Sequence, residues 1–236
     1  MSINRHRNIC KPEISRRDFL KYSGTAIVGL GVSGCAPLFR TKDGKTAMPV
    51  SGGYLLVDTK KCQGCLSCML ACTLAHEGNV NPSLARIQII QDPFEKWPDD
   101  LSIEQCRQCV DALCVKACQY DALKPNPKFG NVRMVDRNNC VGCYACVEAC
   151  PYTPSRPAVA EDEKYEGEKK SRKCDLCADT PFWKQKGCVK GKQACIEVCP
   201  VSAISFTSEI PEQSGDSGYK VNLRGEAWAK LGYPND

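Results

Sequence analysis

Histidine is nearly missing from these 236 residues: only His6 and His76 occur. Mixed cysteine–histidine metal sites therefore have almost nothing to draw on. Aromatic residues make up 7% of the chain, so no large aromatic core is expected. No apolar run reaches the roughly 20 residues of a clean membrane span, which excludes a multi-pass membrane protein. There is no glycine-rich phosphate loop, no G-x-G-x-x-G run opening a helix and no nucleophile–base pair, so no substrate site of its own is expected. An excess of basic charge is also missing from the main body. Of the formal +5, a net +4 sits in residues 1–34, where Arg5, Arg7, Lys11, Arg16, Arg17 and Lys21 face Glu13 and Asp18. A nucleic-acid partner is not implied.

Cysteine is what the chain has in excess: 19 residues, about 8% of the sequence. Sixteen fall into four groups after residue 60. These are Cys62-x2-Cys65-x2-Cys68-x3-Cys72, Cys106-x2-Cys109-x4-Cys114-x3-Cys118, Cys140-x2-Cys143-x2-Cys146-x3-Cys150-Pro151 and Cys174-x2-Cys177-x17-Cys195-x3-Cys199-Pro200. A C-x2-C-x2-C-x3-C-P run is the bacterial ferredoxin pattern, in which three thiolates hold one [4Fe–4S] cluster and the fourth reaches to another. The groups must then work in pairs, and four groups give four clusters. Zinc takes four ligands and leaves the extra cysteines unexplained. Disulfides suit an exported protein, but C-x2-C neighbours in one loop are poorly placed for a packed network. Cys188 reads as a spare thiol, because Cys195 already has the x3 relation to Cys199. His76 reads as a surface histidine.

Ser15-Arg16-Arg17-Asp18-Phe19-Leu20-Lys21 precedes eighteen uncharged residues, Tyr22 to Phe39. The heptapeptide resembles the twin-arginine (Tat) export consensus, a route that carries proteins already folded around their metal centres. Val32-Ser33-Gly34-Cys35 resembles a lipobox, which makes Cys35 a candidate lipidation site. The expected location is periplasmic, or the outer face of the cytoplasmic membrane.

From residue 54 to about 207 the order of the groups, the elongated second and the split fourth resemble the four-cluster ferredoxin-like beta subunits of molybdenum or tungsten pterin oxidoreductases. These include the dimethyl-sulfoxide-reductase type and the aldehyde-oxidoreductase-associated type. Every ligand position is cysteine, so four cubanes and no three-iron centre are expected. The resemblance implies that Cys62, Cys65 and Cys68 join Cys199, and that Cys174, Cys177 and Cys195 join Cys72. It likewise implies that Cys106, Cys109 and Cys114 join Cys150, and that Cys140, Cys143 and Cys146 join Cys118. The implied fold is α+β: two bacterial 2[4Fe–4S] ferredoxin-like modules, the second inserted in the first, after an N-terminal signal.

The expected organisation runs as a signal (1–34), a linker (35–52), an outer module (53–91 and 172–208), an inner module (92–151), a charged insertion (152–171) and a tail (209–236). Within it, Tyr54–Asp58 and Val132–Asp136 read as strands before a first ligand, while Ala122–Lys124 and Ala203–Phe206 close the modules. The fourth ligand of each group, followed by apolar residues such as Leu74 or Ile204, is expected on the inward side, 92–105 to be an insertion, and 161–170 to be a solvated, mobile face. Trp228 and Tyr233 are candidate anchors in the tail.

The functional expectation is an electron-transfer subunit, without catalysis of its own. It relays electrons between a pterin-metal oxidoreductase subunit and a membrane anchor subunit, a quinone-linked protein or a soluble carrier. The alternative is a stand-alone, lipid-anchored polyferredoxin.

Overall fold

The computed structural model describes residues 39–40, 46–97, 99–213 and 218–220. The expected export signal, Cys10, Cys35, Trp228 and Tyr233 lie outside the described residues. The strands in chain order are β1 (Phe39–Arg40), β2 (Thr46–Ala47), β3 (Tyr54–Val57), β4 (Ile87–Gln91) and β5 (Leu101–Gln105). They continue with β6 (Leu123–Asn126), β7 (Val132–Val135), β8 (Ala158–Glu161), β9 (Lys169–Arg172) and β10 (Ile204–Thr207). Among the described residues, four α-helices accompany them: α1 (Ser67–Glu77), α2 (Leu113–Lys116), α3 (Ala145–Glu148) and α4 (Ala194–Glu197).

Strand pairing brings the two ends of the described chain together. β3 runs antiparallel to β10, with Val57 opposite Ile204 and Tyr54 opposite Thr207. β6 and β7 pair with each other, Leu123 opposite Val135. The two ladders are built alike. Each leading strand ends in Val-Asp, and that aspartate's N–H donates into the partner segment: Asp58 to Ala203 O at 2.8 Å, Asp136 to Ala122 O at 2.7 Å. Both aspartates then turn the chain with an Oδ1 that accepts the N–H two residues on, from Lys60 and from Asn138. The helices repeat the pattern, α1 packing on α4 and α2 on α3.

The four expected strand runs all form. α1 is the one long helix among the described residues; Gly78, at φ 74°, closes it by sending its N–H back to Leu74 O. Cys72, the fourth ligand of its group, lies on the inward face of α1 with Cys68, Met69, Ala75 and His76, while Leu74 beyond it is 51% exposed. One apolar core joins both ladders, with Leu55, Val57, Ile87, Leu101, Ile103, Val132, Leu176 and Ile204 around Cys62, Cys68, Cys72 and Cys195. Sulfur fills the core where a larger domain would place aromatic rings.

Two stretches carry more structure than their sequence suggests. Residues 92–105 contain β5, which pairs with β4 along its length and buries Ile103 against the core. The charged run 161–170, expected to be solvated, lies largely within the β8–β9 hairpin. Asp162 and Lys170 within it are buried, as is Arg172 beyond it, because arginines and carboxylates from other segments meet them there.

Candidate metal-cluster site

Each cysteine group opens with the same backbone device. The residue before the second cysteine is left-handed in all four: Gly64 (φ 65°), Gln108 (φ 48°), Gly142 (φ 67°) and Leu176 (φ 56°). Leu66 (φ 59°) and Tyr144 (φ 66°) follow the second cysteine of groups one and three in the same region. Such a conformation costs a side chain roughly 1–2 kcal/mol, and it recurs here because it curls the loop around its own sulfurs. Backbone N–H groups then aim at sulfur. Donors are Gly64 to Cys62 (3.5 Å), Arg86 to Cys72 (3.3 Å), Arg156 to Cys150 (3.3 Å), Ser171 to Cys140 (3.3 Å), Ala194 to Cys177 (3.4 Å) and Ala203 to Cys199 (3.2 Å). Hydrogen bonds of this kind stabilise thiolate and tune a bound cluster.

The structure gathers the sixteen cysteines into four sets of four. One cavity is lined by Cys72, Cys174, Cys177 and Cys195, and another by Cys118, Cys140, Cys143 and Cys146. Burial and the close sulfurs of Cys62, Cys65 and Cys199 push the Cys68 thiol up to about 12. Burial does the same to Cys114, which reaches about 12 with Cys106, Cys109 and Cys150 pressing on it although Lys173 pulls the other way. Burial holds Cys195 well above its ordinary value, and Cys177, Cys174 and Cys72 add to the effect. Four thiolates crowded together in such places are unstable on their own. A positively charged core among them reverses the balance, since a metal-bound thiol is deprotonated outright.

The donor set fits cubanes better than the alternatives. None of the described cysteines is in a disulfide. Among the described residues no three His, Cys, Asp or Glu side chains converge on a single ion. Thiolates around one zinc would stand about 3.8 Å apart, given the 2.3 Å zinc–sulfur bond; a [4Fe–4S] core needs a wider ring.

The sets adjoin one another. Cys68 of the first lies close to Cys195 of the second. Cys174 of the second lies close to Cys106 of the third, and Gln108, beside Cys109, donates to Cys174 O at 2.8 Å. The third set takes Cys114 from α2 and the fourth takes Cys146 from α3, and these two helices pack against each other. Cys65 and Cys143, one in the first set and one in the fourth, are exposed, whereas Cys106, Cys177 and Cys195 are buried.

His76 is not the surface residue its sequence suggested: it is 3% exposed. It lies one helical turn past Cys72, so α1 puts both on the same inward face. Its Nδ1 is 2.8 Å from Cys72 O and 3.7 Å from Cys72 Sγ, while Nε2 meets Asp175 Oδ1 at 2.9 Å. Burial and Arg86 pull His76 down, but Asp175 and Cys72 outweigh them and lift it to about 9. Asp175, between ligands Cys174 and Cys177, also accepts Arg86 Nη1 at 2.8 Å and the Cys177 N–H at 3.1 Å. Sequence reasoning passed over Asp175 and Arg86; the first was detectable by its place inside a C-x2-C pair. Cys188 is buried and donates from Sγ to Phe129 O at 3.2 Å.

A second polar cluster fastens the charged hairpin over this set. Arg137 reaches Glu77 at 2.5 Å and Asp162 at 2.9 Å, and Arg172 reaches Asp162 at 3.3 Å. Burial alone would raise Glu77, yet Arg137, Arg86 and Arg172 hold its carboxyl down at about 2.

Residues 100–209 match the family described as "4Fe-4S dicluster domain". The chain is 35% identical to the aliphatic sulfonate oxidoreductase, polyferredoxin-like subunit, of Pyrococcus furiosus, over 62% of this chain and 70% of that one. It is 31% identical to the putative electron transport protein YsaA of Escherichia coli, over 64% and 87% of the two chains. It is 30% identical to the NrfC homolog of Haemophilus influenzae, over 81% and 79%. With its curled cysteine loops and buried sulfur sets, the chain belongs to the family of [4Fe–4S] dicluster, ferredoxin-like electron-transport proteins.

Proposed function

We propose that the chain binds four [4Fe–4S] clusters and passes electrons along them, between a catalytic molybdenum- or tungsten-pterin oxidoreductase subunit and a membrane-anchored, quinone-linked or soluble carrier. The observation that carries this reading is the row of four adjoining sulfur sets with an exposed cysteine at either end. The ligand sets are Cys62, Cys65, Cys68 with Cys199; Cys174, Cys177, Cys195 with Cys72; Cys106, Cys109, Cys114 with Cys150; and Cys140, Cys143, Cys146 with Cys118. On this reading the β6–β7 ladder belongs to an inner ferredoxin-like module nested in an outer one closed by β3 and β10. When bound, each cluster stores and releases one electron. The protein's own residues hold it by thiolate, point backbone N–H groups at the sulfurs and bury Cys72, Cys177 and Cys195 of the second set. The Pyrococcus relative, a polyferredoxin-like subunit of an oxidoreductase, supports a catalytic partner.

The test is isolation of the full chain from its native host under anaerobic conditions, with iron, sulfide and co-purifying metals measured. About sixteen iron and sixteen sulfide per chain are expected for four cubanes, together with a large subunit that carries molybdenum or tungsten. A colourless or zinc-loaded product refutes the cluster reading. A fully loaded chain that purifies alone turns the assignment to a stand-alone, lipid-anchored polyferredoxin. We also propose export by the twin-arginine route to the periplasmic side, with Cys35 as a lipid anchor. Replacing Arg16 and Arg17 by lysine should leave cluster-loaded protein in the cytoplasm; undiminished export of that variant counts against the route.

A further inference from the structure

The four sulfur sets do not sit in equal electrostatic surroundings. Asp100 lies near Cys62 of the first set. Beside the second, Asp175 takes His76 and shares Arg86 with Glu77, so carboxylates accompany both cations. Beside the fourth, Lys170 reaches Cys140 O at 2.7 Å but is paired with Glu168 at 2.8 Å. The third set, Cys106, Cys109, Cys114 and Cys150, differs. Lys173 is 2% exposed and Arg133 is 1% exposed, and neither pairs with a carboxylate among the described residues. Lys173 donates from Nζ to Arg133 O at 2.7 Å, and the sulfurs of Cys106, Cys114 and Cys174 are its charge neighbours. Arg133 spends its Nη groups on Asn131 O at 3.0 Å and Val110 O at 3.4 Å, and the sulfurs of Cys106, Cys109 and Cys114 are close to it. Its Nε has no partner.

A buried cation is stable only beside an anion. Arginine keeps its charge in any protein environment, and the anions within reach of both side chains here are sulfurs. Carbonyl oxygens satisfy the N–H groups but leave the net charge in place. A bound cluster becomes more negative by one charge on reduction, so uncompensated cations beside it favour the reduced form. Resting on the cluster assignment above, we propose that the Cys106–Cys109–Cys114–Cys150 set houses the centre of highest reduction potential in the chain, held there by Lys173 and Arg133. Electrons entering from either exposed end then collect at this interior position before they leave. Cys174 also neighbours Lys173, so the same cation raises the second set to a lesser degree, Cys106 and Cys114 being its foremost sulfur neighbours.

The experiment is a dithionite titration of the anaerobically isolated full chain, followed by electron paramagnetic resonance, on wild type, Cys114→Ser, Lys173→Met and Lys173→Arg. Cys114→Ser identifies the signal of this set. The signal it removes or alters should be the first to appear on reduction of wild type. Lys173→Met should move that signal to lower potential, and Lys173→Arg, which keeps the charge, should not. If the signal altered by Cys114→Ser is not the first to appear, the inference is overturned. It is also overturned if Lys173→Met loads fully and leaves the order and potential unchanged. Should Lys173→Met lose iron, the order in wild type, marked by Cys114→Ser, still decides. A wild-type chain lacking four cubanes refutes the cluster assignment instead, which the iron count separates from the outcomes above.

Discussion

Glu77 shows how a single carboxylate holds distant segments together. It ends α1, and it gathers Arg137 from the loop after β7, Arg86 from the segment before β4 and Arg172 from β9. Removing one partner from a buried ion cluster leaves the others uncompensated, at a cost of about 3 kcal/mol. Glu77→Gln should therefore lower the anaerobic unfolding stability at neutral pH by that amount. The carboxyl is held near 2 in the fold against an ordinary value of 4.5, so its contribution is complete above about pH 4.5 and fades as pH falls toward 2. Urea midpoints of the two proteins should differ by a constant gap from about pH 6 to 8 and draw together below about pH 4.5. A gap that stays open in acid would mean that Gln fails for reasons of shape. None of this partnership was legible in sequence. Residues 161–170 do stay mostly exposed, and what the sequence hides is the burial of Asp162, whose counter-ion Arg137 lies outside the run. The cysteine groups were easier to read, since a C-x2-C loop is local, whereas which groups join was implied only by a family resemblance.

At the scale of the loops, the left-handed residue before each second cysteine can be tested by comparing two glycines that look equivalent. A Cβ at Gly142 would lie 2.4 Å from the carbonyl oxygen of Lys169, backbone that belongs to β9 and cannot step aside. A Cβ at Gly64 would meet only Leu101 Cδ2 at 3.3 Å, the far end of a flexible side chain. Gly64→Ala should then cost only the conformational penalty, about 1 kcal/mol, with iron content unchanged. Gly142→Ala should cost about 3 kcal/mol or more and lower the iron of the anaerobically isolated protein by about one cluster's share. Equal losses in the two variants would show that the clash with β9 does not matter. Gln108 and Leu176 occupy the same position without being glycine, which is why a search for glycine alone finds only half of the repeat. The strands after Gly53 and around Arg133 were readable from β-branched and apolar alternation. β5 and the β8–β9 hairpin were not, because Ser102, Glu104 and Lys169–Arg172 carry polar side chains whose burial depends on partners elsewhere.

For the whole molecule, the question is which sulfurs share a cluster. Cys118 closes the second cysteine group, but its side chain lines the cavity of Cys140, Cys143 and Cys146. Cys118→Ser should therefore perturb the same resonance signal as Cys143→Ser and spare the one altered by Cys109→Ser. If Cys118→Ser instead abolishes the signal shared with Cys109, each group keeps its own cluster and the modules do not interlock. β3 and β10, far apart in the chain, also form one ladder, with Tyr54 opposite Thr207. During synthesis the chain leaves the ribosome from its N-terminus, so β3 waits without a partner until β10 emerges. The β6–β7 ladder, its two strands separated by a short turn, can close long before. On the proposed ligand sets, maturation would follow that order: inner loops could take up metal while translation continues, whereas the ring that draws on Cys62 and Cys199 would be sealed only once β10 has emerged.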